Sequence, residues 1–128
     1  MAKELVLVDT SILIDFFRKS DKTNSRLLKL VKEEFNYCIS AITEFEIYIG
    51  TTPNQTAYWE DFLFRTQVLA FDKEIARTAV DINKALKKQS RLIGMEDLFI
   101  AATAVHYQLP LATLNVKHFE RVEDLQLL

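Results

Sequence analysis

The chain has 128 residues, 49% of them hydrophobic and 27% charged, which suffices for one real core and not for two ordinary domains, so a single domain over residues 1–128 is expected. With 16 basic and 18 acidic residues the net charge is −2, so no global positive field advertises nucleic-acid binding; a local basic rim would still serve, and an acidic metal centre would itself lower the total. Two glycines, two prolines and no Ser-, Gly- or Pro-rich stretch exclude a flexible linker, and no apolar run approaches membrane-spanning length.

Leu5-Val6-Leu7-Val8 is a β-favouring run without polar alternation, the pattern of a central parallel strand covered on both faces. It is too short for the apolar region of a secretion signal. Asp9 closes it, and Thr10 and Ser11, both good helix-capping types, precede a helix that fades near Ser20 and Asp21. A second helix is expected from about Asn24 to Glu34. Tyr37 to Ser40 reads as the next strand, carrying Cys38. This lone cysteine cannot form an internal disulfide, fits a reducing cytoplasm and is expected as a small hydrophobe on a buried strand.

Thr43 to Gly50 should be a helix ended by its glycine, followed by another from about Gln55 to Arg65. Val68 to Phe71 is a third strand, Asp72 caps a long helix to about Gln89, and Met95 to Tyr107 makes a further helix. Leu111 to Leu114 is the fourth strand, and Leu125 to Leu128 a candidate edge strand. Strands alternating with helices predict an α/β fold, a three-layer α/β/α sandwich with a mostly parallel sheet of about five strands. Ligands of such sheets bind beyond the carboxyl ends of the strands, where strand order reverses. Asp9 lies at one such end and Thr113 to Asn115 at another.

Three acids stand beside apolar sequence. At about 100° per residue, Ile42, Phe45 and Ile49 share an apolar stripe, Glu46 borders it and Glu44 falls nearly opposite, so the spacing selects Glu46 as the carboxylate held against the body of the protein. Asp97 opens the segment Leu98 to Val105, apolar on nearly every side, with the small Ala101 and Ala104 on its own face. Each acid also has an ordinary explanation: a turn aspartate for Asp9, a rim glutamate for Glu46, a helix-dipole aspartate for Asp97. Together in a low-dielectric pocket they would repel, so either their pKa values rise or a cation joins them. Oxygen-only ligands favour Mg²⁺ or Mn²⁺. Zinc is not indicated, because Cys38, His106 and His118 lack compact ligand spacing, and His106 is expected as a packed core residue.

The motifs Val8-Asp9-Thr10-Ser11, Ser40-Ala41-Ile42-Thr43 with Glu46 and Gly50, Gly94 with Asp97-Leu98-Phe99-Ile100-Ala101-Ala102, and Thr113-Leu114-Asn115 with His118-Phe119 resemble the PIN-domain family. More narrowly, the chain is similar to VapC-type toxin ribonucleases of bacterial and archaeal toxin–antitoxin pairs. The resemblance spans essentially the whole chain and is carried by the order and separation of the motifs. It implies that Asp9, Glu46 and Asp97 are catalytic, metal-binding acids, that Thr10 or Ser11 braces the site, and that Thr113 and Asn115 support it. Asn115 stands where many family members carry a fourth acid, which weakens the case for a second metal. The resemblance further implies in-line attack on RNA phosphodiesters by metal-activated water, a homodimer, and a cognate antitoxin whose C-terminal segment covers the site. Arg18, Lys19, Lys87, Lys88, Arg91, Lys117 and Arg121 are candidate phosphate contacts, and Tyr58, Trp59, Phe62 and Leu63 a candidate antitoxin groove or plain core.

Two other functions compete. A phosphoacceptor or phosphatase would use the strand-end Asp9, but the second acid such phosphatases carry two positions later is Ser11 here. A PIN module that has lost catalysis would bind RNA or protein without cutting; the presence of all three acids argues against decay, and Asn115 argues mildly for it.

Overall fold

The computed structural model describes residues 3–128. Four strands, β1 (Leu5–Val8), β2 (Asn36–Ser40), β3 (Val68–Leu69) and β4 (Leu111–Ala112), form one parallel sheet in the order β3-β2-β1-β4. Leu7 sits opposite Cys38 on one side and Leu111 on the other, and Ile39 opposite Val68. Among the described residues, seven α-helices complete the fold: α1 (Thr10–Arg18), α2 (Arg26–Lys32), α3 (Ala41–Ile49), α4 (Thr56–Phe64), α5 (Lys73–Lys88), α6 (Met95–Tyr107) and α7 (Val116–Phe119).

The two-residue alternation of the strands divides the core. Leu7, Cys38 and Leu111 face Ile75, Ala79 and Leu86 of α5, Ile100, Ala101 and Ala104 of α6, and Phe119. Val6, Val8, Ile39 and Ala112 face the other way, onto α1, α2, α3 and α4 through Ile12, Leu13, Leu30, Ile47, Trp59 and Leu63. β1 is therefore covered on both faces, as its unbroken apolar run requires, and the architecture is the expected three-layer sandwich. The fully buried Cys38 thiol has its pKa pushed up to about 11 by desolvation, the behaviour of a packing residue rather than a nucleophile.

Several boundaries differ from the expectations. α3 begins at Ala41 rather than Thr43, because Ser40 caps it by accepting from the Thr43 backbone N–H at 3.2 Å. α1 is capped by Asp9, not by Thr10 or Ser11, and ends at Arg18; the Lys22 ammonium donates to the carbonyls of Phe16, Phe17 and Lys19 and closes its C-terminus. The fifth strand reduces to a single parallel bridge between Leu111 and Leu127. β4 stops at Ala112 because the next residues turn toward β1: Thr113 bonds Asp9 and the Leu114 N–H bonds Ser11. α7, a single turn, is too short to show periodicity in the sequence.

Candidate active site

The strand order places the reversal between β1 and β4, since the chain moves outward from β1 through β2 to β3 and then returns to the other side of β1. The residues that follow these two strands meet there. The Asp9 backbone N–H donates to the Ala112 carbonyl at 3.1 Å, and its carboxylate, on a residue only 2% exposed, is held from two sides. Oδ1 accepts from the Ser11 N–H at 2.9 Å and from the Ser11 hydroxyl, and Oδ2 accepts from the Thr113 hydroxyl at 2.6 Å. Ser11 Oγ in turn accepts from the Leu114 N–H at 3.0 Å, and Thr113 Oγ1 from the Asn115 N–H at 2.9 Å. Four residues from two strand ends thus fix one carboxylate. Burial raises the Asp9 pKa, and the bonds from Ser11 and Thr113 oppose that rise.

Glu46 enters from α3. Its Oε1 accepts from the Thr10 hydroxyl at 2.7 Å, and Thr10 Oγ1 also lies 3.1 Å from Thr43 Oγ1. A hydroxyl has one proton to give, so with Thr10 committed to Glu46 it is Thr43 that donates to Thr10. Burial pushes the Glu46 pKa up; Thr10 lowers it, and the nearby charges of Asp97, Glu96 and Asp9 raise it further. Asp97, in the first turn of α6, is bonded to His118 Nδ1 at 3.1 Å.

The expectation that selected Glu46 needs correcting in its reasoning. The inward face of α3 is made by the buried Thr43 and Ile47, whereas Phe45 and Ile49 are 57% and 71% exposed. Thr43 is a polar residue that the apolar count overlooked, buried because Thr10 satisfies its hydroxyl. Glu46 borders this inward face and lines the cleft. Glu44 lies with Phe45, Tyr48 and Ile49 on the outward face.

Asp9, Glu46, Asp97 and Asn115 line one open cleft of about 670 Å³, with Arg18 and Lys19 at its edge. Of the seven basic candidates only these two line it. Lys19 also stands 3.7 Å from Asp15, and Arg121 is occupied by the Leu92 carbonyl at 3.0 Å. His106 is not a core residue: it is partly exposed, with Nε2 3.8 Å from Glu74 at the contact of α5 and α6. Trp59 and Leu63 are core, while Tyr58 is exposed and packs its ring against Phe17, centroids 5.1 Å apart and planes tilted by 60°. His118 was not singled out as a contact of Asp97, because a one-turn helix gives no periodic signal of which way a side chain points.

The PIN-domain family profile matches residues 6–125. Ribonuclease VapC1 of Methanocaldococcus jannaschii is 38% identical over 120 residues, covering 93% of this chain and 82% of that protein. The chain belongs to the PIN-domain family, among the VapC ribonucleases. Ribonuclease VapC2 of Haemophilus influenzae is 32% identical over 121 residues, covering 91% of this chain and 90% of that protein. A chain of the solved VapBC-1 structure from nontypeable Haemophilus influenzae superimposes with a TM-score of 0.82 at 30% identity, over 97% of this chain and 96% of that one.

Proposed function

We propose that this VapC-family chain is an endoribonuclease, the toxin of a toxin–antitoxin pair, and that Asp9, Glu46 and Asp97 hold the Mg²⁺ or Mn²⁺ on which hydrolysis of RNA phosphodiester bonds depends. The observation that carries the assignment is that three acids separated by 37 and 51 positions in sequence line one cleft at the switch point of the sheet. The donor set fits a hard cation. It is all oxygen, and two of its carboxyls are pushed toward their neutral forms by burial, Glu46 further by its acidic neighbours. Among the described residues no three Asp, Glu, His or Cys side chains are already grouped tightly enough to ligate one ion; each carboxylate instead leans on a donor of the protein.

When bound, a divalent cation lowers the pKa of a coordinated water and neutralises charge on phosphoryl and leaving oxygens. The chain supplies position. Asp9 is fixed rigidly by Ser11 and Thr113, while Glu46 is held by a single hydroxyl, Thr10, and keeps the freedom of a longer side chain. Asn115, neutral where a fourth acid would add charge, can hydrogen-bond a water or a carboxylate and holds a second cation less firmly. Arg18 and Lys19, exposed at the cleft edge, are placed to meet backbone phosphates of the RNA.

The outward face of α3, with Phe45, Tyr48 and Ile49, offers the apolar surface that a homodimer would cover. The exposed Tyr58 beside Phe17 and Phe62 suits the apolar side chains of an antitoxin segment. Among the described residues, no helix is long and apolar enough to cross a membrane. The test is cleavage of RNA by the purified chain with Mg²⁺ or Mn²⁺, with EDTA and Asp9→Asn as controls. Cutting that needs the cation and is lost in the variant supports the assignment; cation-dependent binding of RNA without cutting would instead favour the non-catalytic module.

A further inference from the structure

We propose that His118 is a positioning residue for Asp97, using its Nδ1–H to fix one carboxylate oxygen and leave the other directed at the cleft. This inference rests on the assignment of Asp97 as a metal-binding acid. Each of the three acids leans on a donor from a different part of the chain: Asp9 on Ser11 and Thr113, Glu46 on Thr10, and Asp97 on His118. For Asp97, the His118 ring is the one side-chain hydrogen-bond partner among the described residues. Because a carboxylate only accepts, the ring nitrogen 3.1 Å from its Oδ2 must carry the proton, which assigns Nδ1 as the donor.

The placement is built by the core. α7 spans one turn, the Asn115 carbonyl accepts from the His118 N–H at 3.1 Å, and the fully buried Phe119 anchors the turn beneath the sheet. With Phe119 pinned inward, its neighbour His118 is turned toward α6 and reaches Asp97. The imidazole itself is 54% exposed against 24% for the Asp97 side chain, so it does little for packing; the anchoring belongs to Phe119 and the contact to Asp97. A ligating side chain with a single fixed oxygen loses less freedom when it takes up an ion, and partners of this kind are worth about 10- to 100-fold in metal affinity.

The experiment is Mn²⁺ binding without RNA, followed by electron paramagnetic resonance, together with thermal unfolding of the same metal-free proteins: wild type, His118→Ala, His118→Asn and Asp97→Asn. His118→Ala should weaken Mn²⁺ binding about 10-fold. Its unfolding midpoint should move by no more than about 2 °C, since exposed substitutions away from caps and core rarely cost much stability. His118→Asn, whose amide nitrogen lies near the position of Nδ1, should recover most of the affinity. Unchanged binding in His118→Ala, failure of Asn to recover it, or a large loss of stability in His118→Ala would each overturn the positioning role. A wild-type protein that binds Mn²⁺ no more tightly than Asp97→Asn would instead overturn the metal assignment, and this inference with it.

Discussion

Replacing Thr113 with valine removes one hydroxyl while keeping the shape of the side chain, and the structure sets the cost. That hydroxyl donates to Asp9 Oδ2 at 2.6 Å and accepts from the Asn115 N–H at 2.9 Å. Asp9 is almost wholly buried, so water cannot replace the lost donor, and a hydrogen bond to a charged group is worth about 1.5–3 kcal/mol where a neutral one is worth about 1. Thr113→Val should therefore destabilise the metal-free protein by about 2 kcal/mol at neutral pH, a fall in unfolding midpoint of roughly 6–8 °C for a chain of this size. In an Asp9→Asn background the acceptor is neutral and the same change should cost only about 1 kcal/mol, a coupling of about 1 kcal/mol between the two sites. Urea unfolding of the four proteins measures the cycle. A coupling near zero would refute the account, because it would mean that the hydroxyl is not holding an ionised carboxylate.

Asp9→Asn, Glu46→Gln and Asp97→Asn should each abolish metal-dependent RNA cleavage while circular dichroism shows the fold intact, and Glu44→Gln, on the outward face of α3, should cut at nearly the wild-type rate; the reverse result for Glu44 and Glu46 would overturn the helix-face assignment. Burial raises the folded-state pKa of Asp9 and Glu46 above the ordinary values of 3.8 and 4.5. As pH rises through that window the unfolded chain releases these protons before the folded one does, so metal-free stability should fall with pH and level off above the raised values. Glu46→Gln removes its share, and its unfolding midpoint between pH 3.5 and 7 should decline less steeply than that of the wild type. Phe119→Ala should cost about 3–5 kcal/mol by calorimetry, as expected for emptying a fully buried aromatic site.

The parts of the fold with long, uniform chemistry were legible in the sequence. Leu5 to Val8 announced a doubly covered strand because no polar residue interrupts it, and the aspartate after it had to lie at a carboxyl end of the sheet. α5 was equally plain, since sixteen residues give a period room to show, and α6 was legible as a buried helix from thirteen residues apolar on nearly every side. What was not legible depended on contacts remote in sequence. Thr43 carries no apolar signal and fell outside the stripe, because the partner that lets it be buried, Thr10, lies 33 positions away. Phe45 and Ile49 looked like core and are exposed, because an apolar surface and an apolar core have the same composition. β4 ended early because Thr113 bonds Asp9, 104 positions back, and a helix of one turn, too short for a period, hid the placement that brings His118 to Asp97, 21 positions back.

The most direct measurement is the position of Mn²⁺ in crystals of the wild-type protein, located by anomalous scattering. The account predicts a peak within the cleft, ligated by Asp9 with Glu46 and Asp97 drawn in around it, and lost in Asp9→Asn. Full occupancy at another place, or an empty cleft at a concentration of Mn²⁺ that supports RNA cleavage, would contradict it.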